Sequence, residues 1–150
     1  MFIFSSHIPF HLDTGGGTYS KSMTAFAKAI VKAEIDCNGF LSLPSGMNFP
    51  GMLISKLYIR PCYEEIYDLI LRMPRVLVTG TPGTGKSIWL WWIMYCALQA
   101  DPELVIIWES VSEPDVRIMF KAGQGFRGSK ISFEDEMMDS RTWLVIIQWL

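Results

Sequence analysis

Gly80-Thr81-Pro82-Gly83-Thr84-Gly85-Lys86-Ser87 decides how the rest of this chain is read. It fits G-x-x-x-x-G-K-[ST], the Walker A pattern of a phosphate-binding loop. Before it stands Arg75-Val76-Leu77-Val78-Thr79, a short β-branched apolar run that predicts a buried strand. After it, Ser87 to Leu98 holds neither Pro nor Gly and is too long for an ordinary strand, which predicts a helix. Strand, glycine loop and helix, in that order, form the context the pattern requires.

Residue type supplies the chemistry. Gly80, Gly83 and Gly85 have no Cβ, so the backbone can take positive φ and come close to a ligand. Successive N–H groups then make an anion nest at a helix N-terminus, where partial positive charge is concentrated. Lys86 is expected to set its ammonium on the β- and γ-phosphates, and Ser87 to offer its hydroxyl to Mg²⁺. Pro82 has no N–H to donate and stiffens the loop. The expected nucleotide-binding set is therefore Gly80, Thr81, Pro82, Gly83, Thr84, Gly85, Lys86 and Ser87, with Ser87 the metal ligand.

The 150 residues suit a domain of ordinary size, and half are hydrophobic, enough to fill a large core. The net charge of -2 gives no general case for nucleic-acid or acidic-membrane binding. Cys37, Cys62 and Cys96 are odd in number and far apart, with no C-x-x-C. They support neither a disulfide framework nor a zinc site and fit an intracellular setting. The apolar run 88–98 is well short of the roughly 20 residues a membrane span requires. Met1 to Phe10 has no basic n-region and no clear cleavage site, so no signal peptide is expected.

Ahead of the loop, 1–51 reads as an N-terminal extension and 52–150 as the nucleotide-binding part. His7 and His11 are separated by Pro9, which speaks against a shared helix face, and read as loop histidines. Gly15-Gly16-Gly17 reads as a flexible joint. Ser20 to Asp36 predicts a helix with Met23, Phe26, Ala27, Ile30 and Val31 on one face, stopped at Cys37-Asn38-Gly39. Phe40 to Gly51, with Pro44, Gly46 and Pro50, reads as an extended linker. A short strand is expected within Leu53–Arg60. Pro61 then opens a helix whose apolar positions are Ile66, Leu69, Ile70 and Met73. Arg60 reads as a solvated arginine at that helix start, within sideways reach of a nucleotide. Trp89, Trp91 and Trp92 read as core.

Beyond the helix, Leu104–Trp108, Val116–Phe120 and Thr142–Ile147 read as buried strands. Gly123-Gln124-Gly125-Phe126-Arg127-Gly128 is formally a dinucleotide fingerprint. Ser129 to Phe133 after it looks extended rather than helical, so a turn between strands is the better reading. Hydrolysing P-loop proteins hold Mg²⁺ or its water with an acid at the end of a neighbouring strand. Here the last strand runs into Ile146-Ile147-Gln148-Trp149, with no acid. Glu109, closing Val105–Trp108, is the other candidate: it reads as an ordinary strand-end acid, with a catalytic, metal-shell carboxylate as the alternative. Arg117, Arg127 and Arg141 are unmarked candidates for a charge-stabilising arginine.

Tyr58-Ile59-Arg60-Pro61-Cys62-Tyr63, followed by Val76 to Ser87, resembles the P-loop ATPase region of Crinkler and retrotransposon-hot-spot-type proteins. Phe133, Asp139 and Thr142-Trp143-Leu144-Val145 are similar to that family's approach to its Walker B strand. The likeness covers 53–146. It implies ATP and Mg²⁺ binding, a STAND/AAA-like core, and often a separate C-terminal nuclease-like or effector domain. The chain departs from it at Ile147-Gln148-Trp149, where the family has an acid. The lid, the sensor residues and a secretion leader are not recognisable either, which suggests a truncated protein. The expected fold is α/β, a P-loop NTPase core with a mostly parallel sheet flanked by helices and incomplete at the C-terminus. The expected function is that of an ATP-binding domain of an ATPase with weak or lost hydrolysis. The alternative is a non-catalytic, nucleotide-dependent protein-interaction module or a truncated effector fragment.

Overall fold

Local sequence chemistry lays down short strands and four helices among the described residues. The computed structural model describes residues 2–4, 17–72, 75–76, 81, 83–110, 113 and 115–147, with backbone alone at 2–4, 45, 75–76, 110 and 146–147. In chain order these form β1 (Phe2–Phe4), β2 (Thr18–Tyr19), α1 (Lys21–Val31), β3 (Glu34–Ile35), β4 (Phe40–Ser42), β5 (Lys56–Tyr58) and α2 (Cys62–Ile70). Then come β6 (Arg75–Val76), α3 (Lys86–Ala100), β7 (Ile106–Ser110), β8 (Val116–Lys121), β9 (Gln124–Ser129), α4 (Glu134–Met138) and β10 (Trp143–Ile147). His7, His11, Gly15, Gly16, Met73, Pro74, Gly80, Pro82, Gln148 and Trp149 lie outside the described residues.

The expected mostly parallel P-loop sheet is not what forms. The large sheet has the order β2-β9-β8-β7-β10-β1-β6, and β7–β10 is its one parallel pair among the described strands. Connection length explains the antiparallel pairs β7–β8 and β8–β9. Parallel neighbours need a crossover of a dozen or more residues, whereas short links return the chain antiparallel. Ala122 and Gly123 both have positive φ, 49° and 69°, and close a two-residue hairpin between β8 and β9. β1 runs antiparallel to both β10 and β6, so β6, β10 and β7 still point the same way, with β1 laid between two of them. A smaller antiparallel sheet, β3-β4-β5, stands apart.

α3 is buried nearly all round, as its apolar composition predicts, with Trp89 to Met94, Ala97 and Leu98 inside. Trp91 stacks on Trp108 of β7 with centroids 3.9 Å apart and planes 10° from parallel. Phe26 of α1 packs edge-on to Trp91 at 5.0 Å and to Phe120 of β8 at 5.9 Å. Residues in a strand alternate between faces. Ile106, Trp108 and Phe120 therefore meet α1 and α3, while Ile107, Met119 and Leu144 meet Phe133 and Met137 on the other side. The segment expected to be a linker carries buried Leu41, Leu43 and Phe49 in the same core as the α3 tryptophans.

Three local expectations are corrected. α1 stops at Val31, not at Asp36, because Glu34–Ile35 pairs with β4 and Asp36 to Gly39 becomes the hairpin turn. The buried face of α2 carries Tyr63 and Ile70, with Tyr67 half-buried, while Ile66 and Leu69 are exposed. Lys130–Phe133 is a 3-10 turn rather than extended, and most of the glycine fingerprint lies within β9. Gly125 there permits close approach of α1. A Cβ would stand 2.4 Å from Met23 Cβ and 2.8 Å from Thr24 N.

Candidate phosphate-binding site

Of the loop, Thr81 and Gly83 to Gly85 are described, and they lead into the first turn of α3. Gly83 and Gly85 sit at φ 82° and 90°, left-handed backbone that costs other residues roughly 1–2 kcal/mol. Gly85 is the residue from which α3 departs. The first four N–H groups of a helix have no partner within it, and the positive end of the helix dipole lies there. Lys86 Nζ donates to Thr81 O at 2.8 Å and to Thr84 Oγ1 at 3.3 Å. Thr84 Oγ1 in turn donates to Thr81 O at 3.0 Å. The ammonium thus lies back across the loop. Ser87, the second residue of α3, is half-buried beside it.

α2 leans its first turn against this loop. Arg60 Nη1 donates to Thr84 O at 3.1 Å, and the Tyr63 hydroxyl donates to Gly85 O at 3.2 Å. Gly85 O also accepts the helical bond from Trp89 N at 3.0 Å. A Cβ on Gly85 would meet the Tyr63 hydroxyl at 2.8 Å, so the glycine is needed for this seat as well as for its φ. The Tyr63 ring is buried and packs on Trp92 with centroids 5.9 Å apart. Burial raises its phenol above the ordinary range, more than the Arg60 guanidinium lowers it, with a further rise from Cys62. The hydroxyl therefore stays a donor at any neutral pH. Arg60, read from sequence as a solvated arginine, is exposed yet bonded to the loop. Tyr63 was not foreseen; its place three residues after Arg60, on the same side of a helix start, was the available signal.

The structure brings together Thr81, Gly83, Thr84, Gly85, Lys86 and Ser87, and does not bring Glu109 to them. Trp108 faces α3, so its neighbour Glu109 projects from the other face of β7. There Glu109 pairs with Arg117, its cross-strand partner, at 3.0 Å and with Lys130 at 3.5 Å. Arg117 also donates to Lys130 O and touches Met137 Sδ. Arg127 pairs with Glu113, and Arg141 with Asp139 at 3.7 Å. Among the described residues no group of three or more His, Cys, Asp or Glu is placed to hold a metal, and no helix is long and apolar enough to cross a membrane.

Comparison of the chain with protein-family models, with curated proteins and with solved structures returns no match.

Proposed function

We propose that residues 80–87 bind the polyphosphate of a nucleoside triphosphate, with ATP the first candidate, together with Mg²⁺. One observation carries the reading. The Lys86 ammonium lies over a loop whose Gly83 and Gly85 are left-handed, at the N-terminus of a fifteen-residue helix. That juxtaposes a cation, backbone donors and a helix dipole, which together favour a multiply charged anion. In this reading Lys86 leaves Thr81 O for the β- and γ-phosphates, and Ser87 supplies its hydroxyl to Mg²⁺. The mixed sheet is a different support from the one expected, but phosphate chemistry resides in the loop and helix start. The three free cysteines favour an intracellular setting.

The test is a titration with a fluorescent ATP analogue, with and without Mg²⁺, on the parent and on Lys86→Ala. The parent is expected to saturate, more tightly with Mg²⁺. Losing charge-assisted bonds should weaken Lys86→Ala by roughly tenfold or more. Equal affinity of the two proteins overturns the reading.

A second reading, binding without turnover, is favoured by Glu109. Its carboxylate is engaged by Arg117 and Lys130 on the sheet face away from α3, and Gln148, not an acid, stands directly after Ile147. Such a chain would act as a nucleotide-dependent interaction module, or as part of a protein whose remaining chain or partner completes the site. Single-turnover hydrolysis by the parent beside Glu109→Gln separates the two. Tight binding with equal, near-zero rates supports the module.

A further inference from the structure

We propose that the Thr84 hydroxyl competes with bound phosphate for the Lys86 ammonium, and so sets how readily the loop takes its anion. The inference rests on the phosphate-binding reading and adds the group that opposes binding. Three polar atoms meet in one knot. Lys86 Nζ donates to Thr81 O at 2.8 Å and to Thr84 Oγ1 at 3.3 Å, and Thr84 Oγ1 donates to Thr81 O at 3.0 Å. A carbonyl oxygen has two lone pairs, which here take the ammonium and the hydroxyl. The hydroxyl spends its one hydrogen on Thr81 O and turns a lone pair to Lys86. Donating in one direction makes it a stronger acceptor in the other. Each contact of the knot therefore supports the next.

Thr84 is held in the place this needs. Arg60 Nη1 takes its carbonyl at 3.1 Å. Gly83 and Gly85 on either side carry the left-handed backbone, and Thr84 does not. The branched Cβ of threonine restricts χ1, so its hydroxyl has few other directions to take. Thr81 and Thr84 are exposed and Lys86 is half-buried, so an anion reaches the knot from solvent. An ionised phosphate oxygen attracts an ammonium more strongly than a neutral carbonyl or hydroxyl does. The exchange therefore runs toward the ligand, less the cost of leaving Thr84. Only a ligand long enough to reach Lys86 meets that opposition; an anion held by loop amides alone does not. The hydroxyl thus bears on the terminal phosphates of a polyphosphate.

The test uses the full chain in Thr84→Val, Thr84→Ser, Lys86→Ala and the double variant Thr84→Val with Lys86→Ala, and inorganic tripolyphosphate as the probe. Thr84→Val exchanges the hydroxyl for a methyl at an exposed position. It should bind tripolyphosphate roughly threefold to fivefold more tightly than the parent. On the Lys86→Ala background the same change should leave affinity where it was, because the hydroxyl then has no ammonium to hold. A merely structural role would shift both backgrounds alike. Labelling of Lys86 by acetic anhydride, read without ligand against exposed Lys56, is the second measurement. It should quicken by roughly twofold or more in Thr84→Val and return toward the parent rate in Thr84→Ser, which restores the hydroxyl. Equal or weaker binding by Thr84→Val, or the same shift on both backgrounds, overturns the competition; the loop reading then stands if Lys86→Ala binds more weakly than the parent. A parent that binds tripolyphosphate no better than Lys86→Ala overturns the phosphate reading instead, and the labelling rates alone then decide whether Thr84 holds the ammonium.

Discussion

Replacing Gly125 with Ala tests the packing that fixes α1 on the sheet. Ser20 N donates to Gly125 O at 2.8 Å, and Gly125 N donates to Thr24 Oγ1 at 2.9 Å. The Thr24 hydroxyl, fully buried, points back at Gly125 O at 3.4 Å. A methyl at Gly125 would stand 2.4 Å from Met23 Cβ, 2.6 Å from Met23 C and 2.8 Å from Thr24 N. Two of those three atoms are backbone, so no rotamer change relieves the clash, and α1 must move outward. Overpacking of this kind costs about 1–3 kcal/mol, and stretching two hydrogen bonds adds about 1 kcal/mol each. The expected loss is about 3–5 kcal/mol in urea unfolding, seen as a lower midpoint at unchanged slope. Thr24→Val removes the hydroxyl without adding bulk. It leaves the Gly125 amide without that acceptor and should cost about 1–3 kcal/mol. A Gly125→Ala protein within about 0.5 kcal/mol of the parent would refute the close approach of α1 to β9.

Glu109→Gln should lower stability by about 1–3 kcal/mol, because Arg117 and Glu109 are each only 12% exposed and lose their charge pairing; matched melting curves of the two proteins check this. Burial, with a smaller push from Glu64, raises the Cys96 thiol from 9.0 to about 12, against a backbone hydrogen bond that lowers it. Exposed Cys37 and Cys62 should therefore take up iodoacetamide at pH 8 well before Cys96, as peptide mass mapping would show. The same shift has a sign for folding. The native thiol keeps its proton where the unfolded one has lost it, so its contribution is complete below 9.0 and is lost as pH rises toward 12.

The glycine turn before α3 is legible in sequence because its requirements are local. Two left-handed glycines, a lysine and a helix start follow from eight consecutive residues, and α3 follows from an apolar run without breakers. Sheet direction was not legible in the same way. β7 and β10 are parallel as expected, but whether Val116–Phe120 joins antiparallel depends on a link too short for a crossover and on the turn at Ala122-Gly123. The position of β1 depends on pairing across almost the whole chain, which no window of sequence reports. Glu109 was picked correctly as a strand-end acid, yet the face it occupies is settled by Trp108 beside it and Arg117 across from it. The glycine fingerprint reads as a turn between strands, yet only Gly123 lies in the turn and the rest lies in β9. The use of Gly125, to admit another segment's backbone, comes from a neighbour a hundred positions earlier in sequence.

The place of β1 has a consequence for how the chain comes to be folded. Phe2–Phe4 is made before β6, and long before β10, yet it lies between them. On a ribosome β1 can pair with β6 once that strand is made, but its other edge must wait until the residues of β10 have been synthesised. Until then, among the described strands, β1 and β6 are not joined to the remainder of the large sheet. A nascent chain halted before Trp143 would thus carry residues 80–87 and α3 without the support that the finished sheet gives them, and the large sheet would close late.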